Sequence, residues 1–476
     1  MVDVKFGTDG WRAVIADDFT FANVRAVAQA TAEWMKRDGV ASKGVVVGHD
    51  TRFLSGTFAG AVAEVMAAND IKVALTSSFV PTPALSFAVR TRQVGAGVMI
   101  TASHNPARWN GFKVKPWFGG SAPEEITTAI EQLVPEVIAQ GRVQHMALGE
   151  AEAAGRVERF DIRPAYLKAV SELVDLDAVR AAGFRVLVDS MFGASQGWTA
   201  RAIGDGATTV HEIHGERNPS FPGMRAPEPI TPNLGEAMGL TVSGGYDVCL
   251  AADGDGDRFG LIDENGRFVT QLQTFALLAH YLLEVRGERG PIVRSVTMTQ
   301  MIDRLGEAYG VPVHETPVGF KYLGAKMMET DALLAGEESG GYAFRGHVPE
   351  RDGIISGLFM LDYMAKTGKR PSELLADLYA KVGVHEYDRV DVTIRPEERA
   401  TIEEHVRSHE PETIAGLKVK SRDQVDGYRF HLEGGWWLLI RFSGTEPLIR
   451  IYAEMPTSEL VQRALAEGQQ IAGVTL

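Results

Sequence analysis

Apolar runs of strand length alternate with segments of helical period along most of the chain, and this alternation restricts the fold to layered α/β architectures. Val45-Val46-Val47-Gly48, Val73-Ala74-Leu75, Val98-Met99-Ile100, Val186-Leu187-Val188 and Ile292-Val293 read as buried strands. Ahead of the first, Thr20 caps a helix whose Val24, Val27, Ala28, Thr31 and Met35 share one face, and Gly39 stops it. Ser55 to Ala68 repeats that style. A chain of 476 residues has room for about three domains. The joints are expected near Gly149 to Arg156, at the turn Asp263-Glu264-Asn265-Gly266 and about Lys381 to Tyr387. Past the last joint Val390, Val392 and Ile394 alternate and Trp436 to Ile440 forms an apolar run, which predicts a separate α+β domain.

Charge narrows the function. The formal net charge is −14, which disfavours a general nucleic-acid or anionic-membrane surface; an anionic substrate would need Lys and Arg gathered locally in a cleft. The single cysteine, Cys249, excludes an intrachain disulfide and a multi-cysteine zinc site, and its apolar surroundings mark it as an inert core thiol. The most apolar stretches, Thr274 to Val285 and Ile354 to Met364, are interrupted by His280, Glu284 and Asp362 and are too short to span a bilayer. Met1 to Arg12 lacks the apolar core of a signal peptide, so a cytoplasmic protein is expected.

Four loops carry chemistry. Thr101-Ala102-Ser103-His104-Asn105-Pro106 follows an apolar strand and places a serine where α/β proteins expose reactive groups, although the same residues could simply cap a turn. Asn110-Gly111-Phe112-Lys113 brings a cation within reach of it. Asp253-Gly254-Asp255-Gly256-Asp257-Arg258 sets three carboxylates at alternate positions between glycines, able to converge on a hard cation, with a solvated acidic turn as the alternative. A helix-loop-helix calcium site would put Glu264 at its twelfth position but fails at the sixth, where Arg258 stands in place of glycine, and Mg²⁺ suits the short ligand set better than Ca²⁺. Gly336-Glu337-Glu338-Ser339-Gly340-Gly341 offers carboxylates and a hydroxyl to sugar hydroxyls or is a plain turn; Pro317-Val318-Gly319-Phe320-Lys321-Tyr322 adds a lysine-bearing turn. Arg441-Phe442-Ser443-Gly444-Thr445-Glu446-Pro447, with Arg450 on the next strand, reads as a phosphate nest or a hairpin turn. His211 and His214 point to opposite faces of a strand and make no metal pair. P-loop, dinucleotide-binding and H-E-x-x-H signatures are absent from the sequence.

Together the loops describe phosphoryl chemistry on a phosphosugar, and in this order they resemble the four loops of the α-D-phosphohexomutases, as does the opening Phe6-Gly7-Thr8-Asp9-Gly10-Trp11-Arg12. The resemblance implies three similar α/β domains (residues 1–154, 155–265 and 266–382) and a C-terminal α+β domain like the TATA-box-binding-protein fold (383–476), all around a central cleft. It implies that Ser103 is carried as phosphoserine, and that Asp253, Asp255 and Asp257, with a phosphoserine oxygen, bind Mg²⁺. Arg12, Lys113 and Arg258 supply charge, Arg12 and Lys113 as acid/base helpers, and His104 braces the serine turn. Glu337, Ser339, Gly319 and Lys321 are expected at the sugar, and Arg441, Ser443, Gly444, Thr445 and Arg450 at the distal phosphate. Glucose 1,6-bisphosphate is the implied intermediate and activator. Gly341 stands where family members acting on several sugars carry histidine, and Glu337-Glu338-Ser339 with Gly319-Phe320-Lys321 resembles the phosphoglucomutase branch, so glucose phosphates are favoured and mannose phosphates accepted; a monomer or homodimer is expected. A phosphomannomutase or phosphoglucosamine mutase is the alternative within the family, and a metal-dependent serine phosphomonoesterase and a silent sugar-phosphate sensor are the competing classes.

Overall fold

The computed structural model describes residues 4–7, 9–443 and 447–474. Among these residues four sheets follow one another along the chain. The first has six strands in the spatial order Trp11–Val14, Trp109–Pro116, Ala96–Ile100, Val45–His49, Val73–Thr76 and Val157–Phe160. Its last four strands run parallel, and the two at the other edge are antiparallel. The run Val45-Val46-Val47 is apolar without alternation because both faces are covered: Val46 packs into one core, Val45 and Val47 into another. Each such valine removed from water contributes about 1.5–3 kcal/mol. The helix Phe21–Arg37 starts at Thr20, whose hydroxyl accepts from the Asn23 amide at 3.2 Å, and Ser55–Ala68 is the second helix.

The second sheet is ordered Phe268–Val269, Phe259–Asp263, Val248–Ala252, Arg185–Asp189, Thr209–Ile213, and the third Val313–Thr316, Ile292–Ser295, Leu334–Glu337, Gly341–Phe344. The three sheets share one device. In each, a buried parallel strand (Ala96–Ile100, Val248–Ala252, Leu334–Glu337) turns back into an antiparallel neighbour. The serine, aspartate and Glu/Ser loops are those three turns. The fourth sheet is antiparallel through its six strands from Glu386–Thr393 to Leu448–Met455, covered by the helices Arg399–Ser408 and Ser458–Ala472, and the strands Trp437–Phe442, which carries Arg441, and Leu448–Met455, which carries Arg450, are paired neighbours.

Two strands pair across the expected joints. Val157–Phe160, placed by sequence in the second domain, adds to the first sheet beside Val73–Thr76, and Phe268–Val269 completes the second sheet beside Phe259–Asp263. An open strand edge is a row of unpaired backbone groups, and the nearest edge takes up the strand wherever the polar linker lies. Cys249 is fully buried. No helix among the described residues is long and apolar enough to cross a membrane.

Candidate active site

Ser103 sits at the carboxyl end of Ala96–Ile100 with φ +50°, a left-handed conformation costing roughly 1–2 kcal/mol for a residue with a Cβ. Its surroundings compensate. The Ser103 amide donates to Thr101 Oγ1 at 2.9 Å, and Thr101 in turn donates to Asp50 Oδ2 at 2.6 Å. Arg52, fully buried, donates to the carbonyls of Ser103, Asn105, Pro106 and Trp109 at 2.5–3.1 Å, with its Nε 3.2 Å from Asp50. One guanidinium thus ties down four carbonyls of the turn, with the Thr101 hydroxyl holding the Ser103 amide. Ser103 is 1% exposed; its Oγ donates to Asp253 Oδ2 at 2.6 Å and lies 3.4 Å from His104 Nδ1.

The aspartate loop is drawn onto this serine by backbone contacts from several directions. Gly254 donates to Pro227 O and accepts from the Ala194 amide, Asp255 O accepts from the Thr82 amide at 2.8 Å, and Gly256 O accepts from the Gly353 amide. A Cβ on Gly254 would lie 2.5 Å from Ser103 O, so glycine there is required by close approach. Asp253, Asp255 and Asp257 are fully buried, and one oxygen from each falls within 4.8 Å of the others. Asp255 Oδ1 and Asp257 Oδ1 have no hydrogen-bond partner, an expensive state for buried carboxylates. Burial and then the neighbouring Asp255 and Asp257 push the Asp253 carboxyl well above its usual range. Two orphaned hard oxygens in a buried cluster of three carboxylates are a donor set that fits Mg²⁺.

Cations approach from three sides. Lys113 Nζ lies 2.8 Å from Asp255, 3.0 Å from Asp257 and 2.8 Å from Asp9. Burial opposes its charge, but those three carboxylates prevail and hold its pKa well above the ordinary lysine range. The same lysine, with Thr82 Oγ1 at 2.6 Å, overcomes burial to hold Asp255 well below the usual carboxylate range. Arg12 donates to Asn105 Oδ1 at 2.7 Å, and Arg258 pairs with Glu228 at 2.8 Å. Burial, then Arg258, Arg12, Arg52 and Lys113, push the His104 imidazole well below its normal range, so it is neutral near pH 7.

Several members of this cluster are not among the sequence-derived candidates. Arg351 reaches Asp9, Asp257 at 2.9 Å, Glu350 at 3.2 Å and Glu337 at 3.1 Å, joining the metal loop to the sugar loop. Lys115 bridges Asp9 at 3.2 Å and Glu350 at 2.5 Å. Asp50 and Arg52 carry a signal that could have found them: Asp50-Thr51-Arg52 ends a buried parallel strand, as the serine loop does. Asp9 stands within the family-like opening. Arg351 carries no such signal.

Of the expected sugar residues, Glu337 and Ser339 lie together, the hydroxyl donating to the carboxylate at 2.7 Å. Gly319, with φ +128°, opens the helix Phe320–Thr330. Lys321 pairs with Glu124 of the first domain at 3.3 Å and lies over the Tyr322 ring, and none of its ion pairs among the described residues is with the sugar loop. A Cβ on Gly341 would lie about 2.1 Å from Arg351 Cδ, so the Arg351 side chain fills the space that any side chain at position 341 would need. Arg441 and Arg450 are cross-strand partners on the C-terminal sheet, paired with Asp426 at 2.9 Å and Asp391 at 3.5 Å, and the buried Ser443 gives its carbonyl to Arg399. Gly444 and Thr445 lie outside the described residues.

Comparison with known proteins places this geometry. Four family models match in order: phosphoglucomutase/phosphomannomutase α/β/α domain I at residues 3–140, domain II at 164–266, domain III at 271–382 and the C-terminal domain at 399–468. A phosphoglucomutase/phosphomannomutase of Thermococcus kodakarensis is 30% identical over 97% of both chains. A phosphoglucosamine/phosphogalactosamine mutase of Sulfurisphaera tokodaii is 28% identical over 98% of both. The crystal structure of a "putative phosphomannomutase" from Thermus thermophilus superposes with a TM-score of 0.85 at 37% identity, covering 99% of each chain. With every family domain present in order around one serine and three aspartates, the chain belongs to the phosphoglucomutase/phosphomannomutase family of α-D-phosphohexomutases.

Proposed function

We propose that the protein interconverts hexose 1-phosphates and hexose 6-phosphates, glucose preferred and mannose accepted, through a phosphoserine at Ser103 and a hexose 1,6-bisphosphate that turns around in the cleft. The observation that carries this reading is the convergence of Ser103 and Asp253, from the loops of different sheets, at 2.6 Å, with the buried cations Lys113 and Arg52 bound to the same two loops. Phosphoryl transfer to the sugar breaks the phosphorus–Oγ bond and forms a bond to the sugar hydroxyl oxygen, with the hydroxyl proton ending on Ser103 Oγ, which donates to Asp253 at 2.6 Å; after the bisphosphate turns around, its other phosphoryl group passes to Ser103 Oγ and the serine proton ends on the sugar oxygen that releases it. Arg12, Lys113 and Arg258 place positive charge beside the transferring group, where little covalent assistance is needed and charge neutralisation dominates. Lys113, held protonated by three carboxylates, acts as an electrostatic partner rather than as a proton donor or base. His104, neutral and 3.4 Å from Ser103 Oγ, braces the serine. A Mg²⁺ ion held by Asp253, Asp255 and Asp257 with a phosphoserine oxygen would supply Lewis-acid stabilisation.

A mutase must also hold the phosphate that is not reacting, in both orientations of the bisphosphate. Arg441 and Arg450, with Ser443, Gly444 and Thr445, form that site in this reading, and the paired arginines favour it over a phosphomonoesterase, which has no use for a second phosphate position. Glu337 and Ser339 hold sugar hydroxyls in this reading, with Gly319 at the neighbouring turn; Lys321, 3.3 Å from Glu124, would serve the sugar only on leaving that carboxylate. The test is turnover of the 1-phosphates of glucose, mannose and glucosamine with Mg²⁺ and a trace of the matching 1,6-bisphosphate. Glucose 6-phosphate is expected to form fastest; inorganic phosphate, or no product from any of the three, would overturn the mutase reading.

The metal assignment has its own check. Asp255→Asn removes one carboxylate charge while keeping its shape and its contact with Thr82, and should weaken Mg²⁺ binding by about 10–100-fold, as loss of a group that holds or orients a ligand does. Titration calorimetry showing unchanged Mg²⁺ affinity would remove Asp255 from the ligand set.

A further inference from the structure

Glu338 lies between Glu337 and Ser339 but faces away from both. Its carboxylate accepts from Arg389 Nη1 at 2.9 and 3.2 Å and from the Tyr387 hydroxyl at 3.1 Å, both on the strand Glu386–Thr393 of the C-terminal sheet. Arg389 Nε reaches Asp391 at 3.0 Å, and Asp391 pairs across the strands with Arg450 at 3.5 Å; Arg450 is itself the cross-strand partner of Arg441. The result is an unbroken row of alternating charge, Glu338, Arg389, Asp391, Arg450, running from the sugar loop to the phosphate arginines. Further contact between the third and fourth domains comes from the apolar cluster of Val296, Trp437, Leu439 and Tyr452, on which Tyr387 and Val318 also pack, from Glu315, which accepts from Arg294 and Arg429 at 2.6 Å, and from Asp426 and Glu454, which accept from the Val318 and Gln300 amides at 2.9 Å. Those contacts dock the C-terminal domain. Of all these contacts, the Glu338 pair alone starts from the sugar loop itself, residues 336–341.

We propose that the Glu338–Arg389 pair is a clasp that sets the spacing between the sugar loop and the Arg441/Arg450 phosphate site, making both residues positioning residues that touch no substrate. The proposal rests on the mutase reading for its catalytic consequence. A bisphosphate that reorients must find the same span from sugar hydroxyls to distal phosphate in each orientation, and a span held by an ion pair with a third hydrogen bond is narrow. Loosening it costs binding in both directions of the reaction while leaving the chemistry at Ser103 intact.

The experiment is a charge-swap cycle. Glu338→Arg and Arg389→Glu are each expected to raise KM for hexose 1-phosphate about five- to tenfold with kcat changed less than about twofold, and the double swap to bring KM back to within about threefold of wild type. Unchanged KM in the single variants overturns the clasp. So does a double swap no better than its worse parent, since a direct substrate contact cannot be restored by exchanging partners. The milder pair Glu338→Gln and Arg389→Gln serves a second measurement without substrate: spin labels at Met328→Cys and Thr401→Cys, exposed positions on helices of the third and fourth domains, report the interdomain distance. A broader distribution in either variant is expected, and one matching wild type overturns the proposal. Because no sugar is present, this reading separates failure of the clasp from failure of the mutase assignment.

Discussion

Ser103→Ala should abolish interconversion, with kcat falling by about 10⁴-fold or more, because it removes the oxygen on which the phosphoryl group is parked and no neighbouring side chain among the described residues offers a replacement nucleophile of the same reach. The group hydrogen-bonded to Ser103 Oγ at short range is Asp253 Oδ2, at 2.6 Å, and His104 is held neutral by burial and four cations. The variant should fold normally, since the loop is held by bonds to its backbone from Arg52 and Thr101 rather than by the hydroxyl. Intact-mass measurement after incubation with glucose 1,6-bisphosphate should show a phosphorylated wild type and an unmodified variant. Wild-type rates of glucose 6-phosphate formation in Ser103→Ala would remove the phosphoserine from the mechanism.

Arg52→Ala is expected to be the most damaging single change outside the reacting groups, lowering stability by about 3–5 kcal/mol, because it strips four carbonyls of their donor and leaves Asp50 buried without its cation. Arg52→Lys keeps the charge near Asp50 but has no planar fork to span four acceptors, so it should retain much of the fold while losing most of the activity. The mechanism lies in Ser103: at φ +50° it stays in place only while the turn is tied. Hydrogen exchange should localise the effect to residues 101–109 in the lysine variant. Exchange and turnover both matching wild type would show that the turn holds itself.

The loops and their order are legible in sequence for a physical reason that recurs three times. A parallel strand buried on both faces is a plain apolar run, and the residues at its carboxyl end emerge where layers part; Ser103, Asp253 and Glu337 each stand at such an end. The aspartate triad is equally local, its alternate spacing surviving as a cluster with two orphaned oxygens. Helix caps such as Thr20 depend on neighbours three residues away and are readable for the same reason.

The α/β layering, the four loops and the chemistry of their side chains are all set by residues within a few positions of one another, and so are written in the chain itself. Which side chains meet is a matter of three dimensions. Asp9, Lys113, Asp257 and Arg351 form one charge cluster from four distant parts of the chain, Lys321 is captured by Glu124, the strand Val157–Phe160 adds to the first sheet, and Glu338 leaves the sugar loop for Arg389. Charged side chains are long and their pairing is nearly indifferent to sequence distance, so their partners follow from which sheets pack together, and that is settled by the buried apolar faces rather than by the charges.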